Sequence, residues 1–118
     1  MIEQFLARVR SGENVSFQET MTAIDASYQY TPTSFSNGLG DDRIDNAAGS
    51  NEGSCKIFAF AKLHRLSEAE TLSLFGDYYW RDVLDNPSSD NHRNIRNFMR
   101  YGWKGIQFLS EPLTTTGK

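Results

Sequence analysis

The chain contains the stretch Asn46-Ala-Ala-Gly-Ser-Asn-Glu-Gly-Ser-Cys-Lys-Ile-Phe-Ala-Phe60, in which a polar run changes abruptly into the apolar pattern of a helix. Ser54 can accept hydrogen bonds from the first turn of such a helix, so the sequence predicts Ser54 as its N-cap and an end near Arg65. Apolar residues cover most of the circumference between these two positions. We therefore expect this helix to lie at the centre of the hydrophobic core.

Capping boxes predict two of the helices that surround this central one. In each box a Ser and a Glu three residues later satisfy each other's backbone N–H groups at the helix start. The pairs are Ser16 with Glu19 and Ser67 with Glu70. Apolar residues at helical spacing predict a first helix over residues 2–9 and a last helix that follows Ser89 or Asp90, faces Ile95, Phe98 and Met99 inward and ends at Gly102. Pro87 should end the helix that follows Ser67.

Extended structure is predicted on both sides of the central helix. Residues 28–36 are rich in Tyr, Thr and Phe, which favour strands. Asn37-Gly38 predicts a tight hairpin turn, with residues 39–45 as the returning arm. Residues 103–109 read as a short closing strand and residues 112–118 as a frayed tail. The fold class is therefore α+β: a mostly helical single domain of about five helices with a small antiparallel sheet or hairpin.

Length and composition limit the classes of protein that this chain can belong to. Its 118 residues suit one domain over 1–118, and its single cysteine excludes an internal disulfide framework. No apolar run approaches the ~20 residues that cross a bilayer, and the N-terminal residues lack the apolar core of a signal peptide. We therefore expect a cytoplasmic chain with no membrane partner.

The polar stretch delivers the thiol of Cys55 to a helix start, where unpaired N–H groups and the helix dipole lower a thiol pKa. A nucleophile also needs a base, and His92 is a candidate because His64 lies at the far end of the same helix. Asp90 or Asn94 would orient His92, and the helix N–H groups would form an oxyanion hole. The alternative is that Cys55 is a small buried side chain behind a helix cap. Both interpretations remain open.

A binding surface is the second hypothesis for the same region. It would join the loop of residues 46–56 to the helix start at residues 90–94. Its polar residues would be Asn46, Asn51, Glu52, Ser54, Lys56 and Asn94. The loop is not a P-loop, because its glycine spacing and lysine position differ. The nearby acidic residues do not fit an EF-hand and two histidines give no zinc motif, so we expect no metal and no cofactor.

A basic stripe is formed by Arg93, Arg96 and Arg100 on one face of the last predicted helix. Such a stripe can bind phosphates, but the chain as a whole carries a net charge of −3. More often such a stripe is a solvated helix face, and here it could pair with Asp82 and Asp85 of the preceding helix. We therefore do not expect nucleic-acid binding.

Several blocks, in their order and spacing, resemble the HopJ type III effector family. They are Tyr30-Thr-Pro-Thr-Ser-Phe-Ser-Asn-Gly38, the stretch of residues 46–61, Phe75-Gly-Asp-Tyr-Tyr79, Asp82-Val-Leu84, His92-Arg-Asn-Ile-Arg-Asn-Phe-Met99 and Gly102-Trp103. The resemblance implies a bacterial protein with one HopJ-like domain, which a type III system could export. It implies no particular activity and no catalytic residues.

The expected function is therefore that of an effector-like protein acting as a small binding module. Its partner would be an unidentified protein or small molecule, and its oligomeric state is open. The alternative is a cysteine-dependent hydrolase or transferase that uses Cys55 and His92.

Overall fold

The helices and small antiparallel sheets form an α+β arrangement, as the sequence predicts. The computed structural model describes residues 2–115. Its α-helices are α1 (Ile2–Arg10), α2 (Phe17–Ser27), α3 (Glu52–Leu63), α4 (Glu68–Ser73) and α5 (Arg93–Tyr101). A π-helical segment spans Tyr78–Val83, and short 3-10 helices span Gly40–Asp42 and Gly102–Gly105. The strands are β1 (Tyr28–Tyr30), β2 (Phe35–Asn37), β3 (Ile44–Asn46), β4 (Gln107–Phe108) and β5 (Leu113–Thr115).

The strands form a two-stranded sheet, β1 with β5, and a three-stranded sheet in the order β3-β2-β4. All pairs are antiparallel. The register is the same in the β1–β5 and β2–β4 pairs, because each step forward along residues 28–37 matches one step back along residues 107–115. The two sheets therefore continue one antiparallel pairing of residues 28–37 with residues 107–115, which is interrupted between β1 and β2.

Two sequence predictions about the strands are wrong. Asn37 does not lie in a tight turn, because it is a buried strand residue and residues 38–43 form a longer loop before Ile44. The Asn97 side chain of α5 stabilises that loop by donating to the carbonyl oxygens of Asn37 and Asp42. The predicted frayed tail is ordered at Leu113–Thr115, where it pairs with β1. The rest of that tail, residues 116–118, lies outside the described residues.

Helix α3 is central, as predicted. Its buried residues are Cys55, Ile57, Phe58, Ala59, Phe60 and Ala61. The ring of Phe58 packs against those of Phe35, Phe75 and Phe98, with centroids 5.0 to 6.1 Å apart. Through these contacts the Phe58 side chain touches three elements: β2, α5 and the turn that follows α4. Phe58→Ala should therefore lower the free energy of unfolding by about 3–5 kcal/mol.

The predicted helix between Ser67 and Pro87 is broken. Helix α4 ends at Ser73, and Gly76 then adopts a φ of +60° before the π-helical segment begins. A Cβ atom at Gly76 would lie 2.6 Å from the Phe17 backbone nitrogen. The start of α2 therefore packs directly on this turn, and a straight helix would not leave room for it.

Helix α5 also begins later than predicted and exposes one residue that was assigned to the core. Ile95 and Phe98 are buried as expected, whereas the Met99 side chain is 44% exposed. Successive helical residues differ by about 100°, which carries Met99 past the edge of the buried face. Gly102 ends the helix as predicted, with a φ of +63°.

Candidate functional site

A cleft of about 640 Å³ lies between the starts of α3 and α5. Its apolar wall includes Phe17, Phe75 and Tyr78, and its polar residues are Asn51, Ser54, Asp90, His92, Arg93 and Asn94. The loop before α3 and the start of α5 therefore meet at one surface. The sequence predicts a ligand-binding surface at this meeting point.

Both helices begin at this cleft with residues in the left-handed conformation. Asn51 has φ 52° and ψ 46°, and His92 has φ 50° and ψ 50°. Neither side chain accepts a hydrogen bond from its helix. The first N–H groups of α3 and α5 are therefore not capped by the N-cap side chains, and such groups act as hydrogen-bond donors to other molecules.

The predicted N-caps at Ser54 and at Ser89 or Asp90 are therefore wrong. Helix α3 begins at Glu52, two residues before Ser54, and its N-cap is Asn51. Glu52 places a carboxylate in the first turn, where it complements the helix dipole. The usual N-cap pattern assumes an extended Ser or Asp whose side chain caps the helix. It could not indicate Asn51 or His92, because their backbones have positive φ, which non-glycine residues seldom adopt.

A network of four asparagine amides, of which Asn37, Asn46 and Asn94 are buried, joins the two helix starts. Asn46 Oδ1 accepts from Asn51 Nδ2 at 2.7 Å and from Asn94 Nδ2 at 2.9 Å. Asn94 Oδ1 accepts from Asn37 Nδ2 at 3.0 Å and from Asn46 Nδ2 at 3.2 Å. The Asn51 amide points to Asn46, which explains why it does not cap α3.

The network changes the roles of the predicted binding residues. Asn46 is buried and does not line the cleft, so it positions its neighbours. Asn51 and Asn94 belong to both the network and the cleft wall. Asn37, which joins the network, was missed because the Asn-Gly sequence favoured a turn at that position.

Cys55 does not have the properties of the proposed nucleophile. Its side chain is fully buried, and its Sγ donates a hydrogen bond to the Thr33 carbonyl oxygen at 3.6 Å. Burial raises the pKa of the Cys55 thiol, so the predicted lowering of this pKa is wrong. The cause is the earlier helix start. The Cys55 N–H already bonds to the Asn51 carbonyl oxygen, and the side chain points into the core.

His92 has a different partner from the one proposed. Its Nε2 lies 3.1 Å from Oδ2 of Asp82, which belongs to the π-helical segment. The His92 ring also packs on Tyr78, with centroids 5.1 Å apart. Within residues 2–115, no hydrogen bond joins His92 to Asp90 or to Cys55. Asp90 is exposed on the cleft wall, so the structure does not assemble the predicted catalytic trio.

Glu52 and Lys56 lie on another face of α3 and do not line the cleft. The Lys56 ammonium pairs with Asp25 Oδ1 at 2.9 Å and lies 5.0 Å from the centre of the Tyr30 ring. Burial raises the pKa of Tyr30, and the nearby groups of Cys55 and Glu52 add to this shift. Of the six predicted binding residues, the cleft therefore includes Asn51, Ser54 and Asn94.

The aromatic wall of the cleft was not predicted from the sequence. Phe17 and Tyr78 pack edge to face with centroids 5.0 Å apart. Gly53 lies directly against Phe17, because a Cβ atom at Gly53 would be 2.6 Å from Phe17 Cζ. The only local signal was the concentration of aromatic residues after Phe75, which reads equally well as core.

The basic stripe of α5 is largely used within the protein. Arg100 pairs with Asp42 Oδ2 at 3.1 Å, and Arg96 Nε donates to the Asn91 carbonyl oxygen at 2.6 Å. Arg93 is exposed and lines the cleft. Among the described residues, no three His, Cys, Asp or Glu side chains form a group that could hold a metal ion. No helix within residues 2–115 combines the length and apolar character that a membrane crossing requires.

A family model described as HopJ type III effector protein matches residues 2–113. The chain belongs to the HopJ family. A crystal structure of VPA0580, a protein of unknown function, has this HopJ fold with a TM-score of 0.93 and 44% sequence identity. That similarity covers 98% of this chain and 94% of the other. No curated protein matches the chain.

Proposed function

We propose that this HopJ protein acts by binding, and that its ligand occupies the cleft between the starts of α3 and α5. The observation that carries the proposal is the combination of an aromatic wall and convergent polar groups in one preformed cleft of about 640 Å³. Ligand sites are commonly concave and mostly apolar, with a few placed polar groups.

The polar side of the cleft defines the chemistry of the ligand. The guanidinium of Arg93 and the uncapped N–H groups at the starts of α3 and α5 are hydrogen-bond donors. Phe17, Phe75 and Tyr78 supply apolar ring surface to the same cleft, and Phe17 and Tyr78 pack edge to face. A fitting ligand has a flat apolar part and at least one hydrogen-bond acceptor.

The buried amides make the cleft rigid before a ligand arrives. Because Asn46 and Asn94 tie the two helix starts together, little conformational entropy remains to be lost on binding. Catalysis by a thiol has no comparable support. The burial of Cys55 and its raised pKa both argue against a reactive thiolate.

We also propose, from the family description, that a bacterium makes the chain in its cytoplasm and exports it through a type III secretion system. A fusion to a reporter enzyme that is active only after delivery into a host cell tests this export. Signal from a secretion-competent strain and none from a strain without the secretion ATPase would support it. Equal signal from both strains would refute it.

Binding is tested by titrating ¹⁵N-labelled protein with small aromatic carboxylates, amides and amines. We expect compounds that bear an acceptor to shift the backbone amide signals of residues 51–54 and 92–95. Arg93→Ala should weaken their binding, whereas Arg81→Ala, another exposed arginine, should not. Binding confined to other surfaces, or unaffected by Arg93→Ala, would contradict the proposal.

A further inference from the structure

A second groove, of about 560 Å³, lies between the end of α3 and the turn that joins β4 to β5. It shares no lining residue with the cleft. We propose that this groove, with the residues on its two walls, is the interface of a symmetric homodimer. The proposal does not depend on the ligand cleft, which stays open in such a dimer.

The apolar lining of the groove combines the exposed side chain of Leu63 with buried and half-buried residues. Leu63 is 50% exposed and lies beside Phe108, Pro112 and Leu113 on the groove lining. Phe108 also borders a neighbouring hollow that is lined by Leu109, whose side chain is 83% exposed. Exposed apolar side chains therefore lie on both sides of Phe108, Leu63 in the groove and Leu109 in the neighbouring hollow. Contiguous apolar surface of this kind marks interaction sites.

The charges beside this apolar surface indicate what covers it. Lys62 and Arg65 stand on the α3 side of the groove, and Glu111 stands on the turn side. In the described part of the chain, none of these three side chains forms an ion pair. The Lys62 ammonium instead lies 5.7 Å from the centre of the Phe108 ring. The groove therefore has one positive and one negative wall, and within residues 2–115 neither wall is paired with an opposite charge at ion-pair distance.

A twofold axis makes this arrangement self-complementary. In a symmetric dimer each residue of the patch faces its counterpart's opposite wall, so that a contact made by one copy is repeated by the other. Lys62 and Arg65 of each copy would face Glu111 of the other, while the two Leu63 side chains cover each other's apolar floor. A second copy of the chain thus supplies both the apolar surface and the charges that the groove lacks.

Sedimentation velocity of the full chain over a range of concentrations tests the dimer. We expect a reversible monomer–dimer equilibrium, in which the sedimentation coefficient rises with protein concentration. Leu63→Glu should weaken the dimer at least tenfold. The matched control is Leu84→Glu, which changes a leucine of similar exposure outside the groove and should leave dimerisation unchanged. Circular dichroism checks that each variant is folded.

A charge exchange separates this interface from nonspecific association. Glu111→Lys should weaken the dimer, and so should Lys62→Glu combined with Arg65→Glu. The chain that carries all three changes has the same two walls with their signs exchanged, so it should dimerise again. A parent that stays monomeric at high concentration, or a triple variant as weak as the partial ones, would overturn the proposal.

Discussion

Helices α2 and α4 begin in a different way from α3 and α5. At α2 and α4 a complete capping box is present: the hydroxyls of Ser16 and Ser67 accept from the N–H groups of Glu19 and Glu70, whose carboxylates accept in return. At α3 and α5 the N-cap residues are left-handed and their side chains leave the helix uncapped. The starts of α2 and α4 therefore satisfy backbone N–H groups with their own side chains. The starts of α3 and α5 meet at the cleft and leave donors available there.

The asparagine network stabilises the uncapped starts of α3 and α5, and Asn94→Ala disrupts this network. This change removes three side-chain hydrogen bonds, those with Asn37 Nδ2, Asn46 Nδ2 and Asn46 Oδ1. At about 1 kcal/mol each, the free energy of unfolding should fall by about 3 kcal/mol. Urea denaturation measures it. The control is Asn14→Ala, an exposed asparagine, which should change the free energy by less than ~0.5 kcal/mol. Equal effects of the two changes would show that the network does not hold the cleft.

Serine-to-alanine changes test the comparison itself. Ser16→Ala and Ser67→Ala should each lower the free energy of unfolding by about 1 kcal/mol, because each removes an N-cap hydroxyl. Ser54→Ala should cost less than ~0.5 kcal/mol, because Ser54 lies inside α3 and caps nothing. Thermal or urea unfolding of the three variants suffices. A loss at Ser54 as large as at Ser16 would mean that α3 is capped like α2.

The buried thiol of Cys55, near the start of α3, should make stability depend on pH, with a smaller effect than the substitutions above. The pKa of Cys55 is raised in the folded chain. Above the ordinary thiol pKa, the unfolded chain therefore loses a proton that the folded chain keeps, and stability falls as pH rises toward the raised value. Cys55→Ala should reduce this alkaline loss of stability. Tyr28, whose pKa is raised by burial and by Glu3, is present in both proteins and cancels in the difference. The pKa of Tyr30 is raised in part by Cys55, so Cys55→Ala lowers it and reduces the alkaline loss of stability further.

The thiol offers a kinetic check of the same feature. Iodoacetamide should label the folded chain slowly at neutral pH, at a rate that rises when denaturant opens the core. A folded chain that reacts as fast as a free thiol would place Cys55 in solvent and revive the nucleophile hypothesis.

The elements that the sequence predicts well are those with local chemical signals. The two capping boxes, the apolar circumference of α3 and the glycine that ends α5 all act within a few residues. Contacts between distant segments decided the rest. Phe17 presses on Gly53 and on the turn at Gly76, so α4 stops early and the cleft gains an aromatic wall. Asn97 stabilises the longer loop after β2. No local sequence pattern predicts this loop or the early end of α4.

The candidate site was located correctly as a region, but its residues were assigned in part from a wrong helix start. The N-cap of α3 is Asn51, three residues before the predicted Ser54, so Cys55 and Lys56 both lie within the helix. The Cys55 side chain is in the core, and Lys56 pairs with Asp25. The Cys55 N–H is therefore already paired inside the helix, and the thiol does not lie at an uncapped helix end as predicted.

The ladder that pairs residues 28–37 with residues 107–115 governs when the chain can fold. Strand β2 lies between β3, which follows it closely, and β4, which is made some seventy residues later. During synthesis the centre of this sheet therefore has one open edge until nearly the whole chain has emerged from the ribosome. Because closing such a long loop slows folding, we expect the three-stranded sheet to be completed only after β4 has been made. Until then Phe35 and its neighbours remain accessible to chaperones.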